Sequence, residues 1–172
     1  MLVPYDPEWP AQFEIAAEEL RRLGSDDWVV EHIGSTSVPG MRAKPIIDLA
    51  VRIRDLDDFE AHRPALEAGG WRLGSGVRTH PVMLFEAGGQ RTRIAHFFTS
   101  ASWETINQRL LGEWLRGHPA DAARYETAKL AAADAAGEGG ASYNSAKTVV
   151  IQEIIDRARA ARGLPAVAVY DK

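Results

Sequence analysis

A chain of 172 residues is the size of one ordinary domain and is long enough to enclose a hydrophobic core. Apolar residues make up 45% and charged ones 26%, which excludes a disordered chain, and the lack of cysteine excludes disulfides, thiolate metal centres and cysteine nucleophiles. Against 24 acidic side chains stand 20 basic ones, a formal charge of −4 that argues against unspecific binding to nucleic acid or anionic lipid but allows a local basic pocket.

Met1 to Asp6 lack a basic region followed by an apolar run, and no apolar stretch approaches the roughly 20 residues that span a bilayer. A cytoplasmic chain without membrane contact is the expectation. Asp6-Pro7-Glu8 reads as a helix start, with a capping side chain, a proline in the first turn and an acid at the positive end. Trp9, Phe13, Ala16, Ala17, Leu20 and Leu23 follow at helical spacing until Gly24. Trp28 to Ile33 reads as a strand, Gly34 to Gly40 as a turn, and Ile46 to Ile53 as a second, mostly apolar and central strand. Asp55 should cap a helix carrying Leu56, Phe59 and Leu66, ended by Gly69-Gly70.

Trp71 to Leu73 and Val82 to Glu86 are strand candidates, and Ala87-Gly88-Gly89-Gln90 is a hairpin connection into Arg91 to Phe98. From Ser102 the pattern turns helical: Trp103, Ile106, Leu110 and Trp114 mark one helix, broken at Gly117-His118-Pro119, and Ala120 to about Ala136 a second. Gly137 to Ala141 reads as a break, Ser145 as the cap of a last helix through Val150, Ile154, Ile155 and Ala158, and the tail after Gly163 as peripheral. Trp9, Trp103 and Trp114 fit core packing. No repeat or linker divides residues 1–172, so the expected architecture is α+β, one domain with a mixed sheet packed on helices.

The chemistry concentrates where the first strand ends. Glycine after a strand lets backbone N–H groups approach a phosphate, and Ser35, Thr36 and Ser37 add hydroxyl donors next to Gly34. Twelve residues separate Ser35 from Asp48, a carboxylate inside an apolar strand returning beside the first. Such an acid could hold a divalent metal shared with phosphates. Lys44 could reach a phosphate or be a solvated loop residue, and Arg52, Arg91, Arg93 and Lys147 could complete an anion pocket or be scattered surface charge.

The run Glu31-His32-Ile33-Gly34-Ser35-Thr36-Ser37-Val38-Pro39-Gly40-Met41, followed by Lys44-Pro45-Ile46-Ile47-Asp48-Leu49, resembles the signature of the GrpB family, within the nucleotidyltransferase-fold superfamily. Tyr5 to Pro10, Arg91-Thr92 with His96, His118-Pro119 with Tyr125 and Lys129, and Tyr143 with Lys147 extend the resemblance along the chain. It implies a nucleotidyltransferase-like mixed β-sheet flanked by helices, a helical C-terminal part, and a nucleotide over the Gly-Ser turn. In some such relatives the domain is joined to a kinase of coenzyme A synthesis.

Departures from the superfamily pattern bear on activity. Nucleotidyltransferases of that superfamily carry a second acid two residues after the first, but Ala50 stands there, and Arg52 follows on the same face. Two-metal transfer needs several carboxylates. Where the family often shows two histidines, position 94 is Ile and only His96 remains, as a metal ligand, a general base, or a half-buried histidine bonded to backbone. Glu86 is a stand-in acid only by ending a strand. His32 would orient the turn, pairing with Asp48 or Glu31, or join His96 and Asp48 around a metal. Tyr143-Asn144, just before the last helix, could contact a base or sugar, and cap chemistry explains Asn144 at least as well.

The expected function is therefore binding of a nucleotide or other phosphorylated small molecule by Gly34, Ser35, Thr36, Ser37, Lys44, Arg91 and Lys147. Asp48 and His96 would be the catalytic and metal-binding pair if Mg2+ or Mn2+ assists nucleotidyl transfer. The alternatives are an inactive nucleotide-sensing or docking module and a metal-dependent hydrolase.

Overall fold

The structure, a computed structural model, describes residues 1–136 and 141–169, with the backbone alone at 135–136 and 141–146. Helix α1 (Trp9–Leu23) buries Trp9, Ala16, Ala17 and Leu20 as one stripe. It begins later than Asp6-Pro7 suggests: Glu8 caps it without a side-chain bond, and Asp6 Oδ1 instead accepts from Glu8 N–H at 2.9 Å in the preceding turn. Strands β1 (Val29–Ile33) and β2 (Ile47–Ile53) pair antiparallel, joined through a short 3-10 turn at Ser35–Ser37. Helix α2 (Leu56–Ala68) is capped as expected by Asp55, which accepts from Asp58 N–H at 2.8 Å.

Strands β3 (Trp71–Leu73), β4 (Val82–Ala87) and β5 (Gln90–Thr99) complete a sheet of order β1-β2-β5-β4-β3. Only the β2–β5 pairing is parallel. This is the expected α+β architecture, a mixed sheet flanked by helices.

The helical C-terminal part departs from expectation at its start. Trp103–Thr105 is a separate 3-10 turn and helix α3 spans Asn107–Gly117, because Ile106 between them is extended (φ −68°, ψ 119°). Helix α4 (Pro119–Ala136) follows, and helix α5 (Ala141–Ala160) begins before Ser145, which therefore lies inside it rather than capping it. The expected break at Gly137 to Ala141 falls largely outside the described residues, as do the side chains of Tyr143 and Asn144. Among the described residues no helix is long and apolar enough to cross a membrane.

Strand alternation gives the two faces of the sheet different tasks. Val30, Leu49, Val51, Ala95, Phe97 and Met83 point toward α1 and α2 and form the main core. Opposite them, the register aligns Ile33 with Asp48, Asp48 with Ile94, and Ile94 with Leu84. Val38, Met41, Leu115 and Ile154 pack in a second cluster that ties α3 and α5 to the chain following the 3-10 turn. The sheet face carrying Asp48 is thus left with a cavity under α3 and α4.

Candidate functional site

That cavity has a volume of about 650 Å³, within the usual range for small-molecule sites. Its floor is apolar, from Ile33, Val82, Leu84 and Ile94, with Leu111 and Leu115 of α3 above. Gly34, Ser35, Asp48, His96 and Tyr125 supply the polar groups, and Arg72 and Arg91 stand at the rim.

Gly34 sits at φ +71°, and a Cβ there would lie 2.5 Å from Asp48 Oδ2, so glycine is what lets the carboxylate stack against the turn. The turn closes through Ser37 N–H to Gly34 O and Val38 N–H to Ser35 O, each 3.2 Å. Among the described residues, the N–H groups of Ser35 and Thr36 donate to no other main-chain group. The three hydroxyls diverge. Thr36 is buried, meets His32 Nε2 at 2.9 Å and donates to Ile46 O at 3.3 Å. Ser37 Oγ donates to Gly34 O at 2.6 Å and accepts from Arg116 at 3.1 Å. Neither lines the cavity; Ser35 does.

Helix α4 brings the partners of Ser35. Lys129 Nζ donates to Ser35 Oγ at 2.6 Å and to Arg42 O at 3.0 Å, and Tyr125 lines the same cavity as Ser35. Burial draws the Lys129 ammonium down from 10.5 to about 8, with Lys147 and Lys44 adding repulsion that Glu126 and Asp48 oppose. Burial, with the Asp48 charge, pushes the Tyr125 phenol up against the opposing influence of Ser35 and keeps it protonated.

A family model described as GrpB protein matches residues 1–157. The chain belongs to the GrpB family. UPF0157 proteins of Halalkalibacterium halodurans and Pseudomonas aeruginosa are 36% and 33% identical, covering 92% and 96% of this chain and 82% and 70% of theirs. The crystal structure of the conserved protein GrpB from Enterococcus faecalis superposes with a TM-score of 0.79 at 29% identity, over 92% of this chain and 96% of that one. A 77-residue stretch is 40% identical to a dephospho-CoA kinase of Mycolicibacterium paratuberculosis, covering 42% of this chain and 19% of that protein.

In this member of the GrpB family, Gly34, Ser35, Asp48, His96 and Arg91 meet at one cavity, while Lys44 is exposed beside it and acts on Lys129 through its charge. Lys147 stands behind Lys129, facing a groove between α4 and α5. Arg93 belongs to the other face, where it pairs with Glu19 of α1 at 3.0 Å, and so does not complete an anion pocket. Glu86 pairs with Arg72 at 2.6 Å at the end of β4, too far along the sheet to stand in for a carboxylate beside Asp48. Glu31 does share the Asp48 face, opposite Ala50, but Arg109 engages both of its oxygens at 2.8 Å.

His32 points to the opposite face from Asp48, where it stacks on Phe13 with ring centroids 4.8 Å apart. That rules out a metal triad of His32, His96 and Asp48, and among the described residues no three His, Asp or Glu side chains gather to hold a metal. His96 instead shares a 2.8 Å hydrogen bond with His80, from the loop before β4, a partner not evident from the strand pattern.

Burial, then the charge of Arg116, lowers the His32 pKa from 6.5 to about 4. The folded form thus resists protonation, so stability is full above pH 6.5 and is lost as pH falls toward 4. Urea titrations between pH 7 and 5 should give a slope approaching 1.4 kcal/mol per pH unit. His32→Gln should flatten it, and an unchanged slope would exclude His32 as its source.

Proposed function

We propose that the protein binds a nucleotide, or a phosphorylated small molecule of similar size, with a phosphate seated against the Ser35–Lys129 pair. The observation that carries this reading is the 2.6 Å contact of Lys129 Nζ with Ser35 Oγ, where Ser35 lines a cavity with an apolar floor. A lysine stripped of water gains more from meeting a phosphate than a solvated one does. The apolar floor suits the flat face of a base, and Arg91 at the rim suits a further anionic group.

The carboxylates present do not fit the two-metal clamp of nucleotidyl transfer. Asp48 stands without a second acid at Ala50, and Glu31 is committed to Arg109. Mg2+ or Mn2+ therefore has no step in this reading, and His96 has no transfer to serve. The likeness to part of a dephospho-CoA kinase favours a nucleotide-sensing module that works beside an enzyme.

Thermal unfolding with ATP, CTP, GTP, UTP and inorganic phosphate, each with Mg2+ or with EDTA, tests the reading. At about 100 times Kd, a ligand should stabilise by ~2.7 kcal/mol, raising Tm by about 5 °C or more, equally in EDTA. Lys129→Met should weaken binding by about 10- to 100-fold. No shift with any of these compounds at millimolar concentration would sink the proposal, and a shift that needs Mg2+ would return Asp48 to a metal-binding role.

A further inference from the structure

Phosphate recognition leaves one feature of the turn unused. A serine whose only task is to donate to a phosphate needs no base, yet Ser35 Oγ is flanked by two side chains of α4 spaced four residues apart, Tyr125 and Lys129. Lys129 is pinned from behind by Arg42 O, which fixes its nitrogen against the serine. Gly34, at φ +71°, turns the chain sharply at the end of β1 and presents Ser35 to the cavity. Nucleophile, adjacent base and a third group holding them is the arrangement that activates a hydroxyl.

We propose that Ser35 is a nucleophile toward the phosphoryl group of the bound ligand, with Lys129 accepting its proton. This rests on the phosphate-binding reading of the same cavity. The Ser35 O–H bond breaks as its proton passes to the neutral Lys129 amine, and the Oγ–P bond forms. The bond from phosphorus to the leaving oxygen breaks, and the leaving group, a nucleoside diphosphate in the case of a nucleoside triphosphate, departs with that electron pair. The products are a phosphoserine ester and a lysine ammonium.

The surroundings set the pH at which the base is ready. Lys129 is faced by Glu126 of its own helix, by Asp48 of β2, by Lys44 of the loop before β2 and by Lys147 of α5, and burial outweighs the two acids to leave it at about 8. The neutral amine therefore becomes abundant just above neutrality. Tyr125 stays a neutral hydroxyl over the same range, because burial pushes its phenol up, so it does not compete with Lys129 as the base.

An alkyl fluorophosphonate probe supplies the electrophile directly: its P–F bond breaks, fluoride leaves and the phosphonyl ester remains. The full chain is treated between pH 6.5 and 9.5 and followed by intact mass and peptide mapping. One adduct on Ser35 is expected, its rate rising about tenfold per pH unit below 8 and levelling above it. Ser35→Ala should give none. Lys129→Arg keeps a cation able to donate, but guanidinium stays protonated at every pH tested. Its labelling should fall by about 100-fold or more, with the melting temperature showing that the fold is retained.

Three results would overturn the proposal. These are no adduct on a protein whose Tm nucleotides do raise, adducts spread over other serines and tyrosines, and Lys129→Arg labelling at the unaltered rate. Ser35 labelling without any nucleotide-induced Tm rise would support the nucleophile while removing the nucleotide reading.

Discussion

Gly34→Val should lower the melting temperature by about 10 °C and abolish any nucleotide-induced rise in it. Two costs combine at this position. A φ of +71° costs an L-residue roughly 1–2 kcal/mol, more with a β-branched side chain. In addition, the new Cβ would overlap Asp48, whose Oδ2, Cβ and Cγ lie 2.5, 3.0 and 3.1 Å away. Asp48 is fixed in a strand paired on both sides, so the turn must yield, and with it the Ser35–Lys129 contact. Gly34→Ala should lose about half as much. Adding Asp48→Ala to it removes the carboxylate from the overlap but not the backbone strain, so the double variant should be less damaged than the sum of the singles, by about 1 kcal/mol. Urea denaturation of the four proteins measures this, and a Gly34→Ala cost below about 0.5 kcal/mol would mean that the turn does not depend on glycine.

The residues that announce themselves in sequence are those whose role is set by their neighbours along the chain. Asp55 caps α2 through an amide three residues on, the two glycines at 88 and 89 turn a hairpin, and period-two alternation correctly groups Asp48 with Ala50 and Ile94 with His96. What stays hidden depends on chain segments brought together only by folding. Arg93 reads in sequence as a cavity cation, but folding places it on the opposite face, where α1 supplies Glu19. His96 gained a second imidazole from a loop 16 residues away. The helix expected from Ser102 split because Ile106 adopts an extended conformation, which apolar spacing does not encode. Tyr125 and Lys129, which the sequence offers as part of the family resemblance and not as site residues, do carry a signal of their own. Tyr125 and Lys129 lie four residues apart on a polar stretch of α4 whose hydrophobic pattern is weak, the mark of a helix that serves more than packing.

The same stripe explains the last expected result. Asp121, Tyr125 and Lys129 are each four residues apart, so one line along α4 runs from an anchor at its first turn to the lysine that meets Ser35. Asp121 is 5% exposed and joins three helices: it accepts from Trp114 Nε1 of α3 at 2.8 Å and pairs with Arg157 of α5 at 3.0 Å and Arg124 of α4 at 3.5 Å. Breaking a fully buried pair costs about 3–5 kcal/mol, and half-exposed arginines reduce that, so Asp121→Ala should cost about 2–3 kcal/mol. Asp121→Asn, which keeps an acceptor for the indole, should cost less. Burial alone would raise the carboxyl pKa, but Trp114, Arg157 and Arg124 together hold it below its ordinary 3.8. Its contribution is therefore complete above pH 3.8 and lost as pH falls through the lower folded value, so wild type and Asp121→Asn should converge in strong acid. The His32 window lies above this one, which separates the two effects in one series of urea titrations. Because the anchor sets the position of Lys129, Asp121→Ala should also weaken nucleotide binding several-fold. Unchanged affinity in a destabilised variant would show that the Ser35 contact, and not the anchor, positions α4.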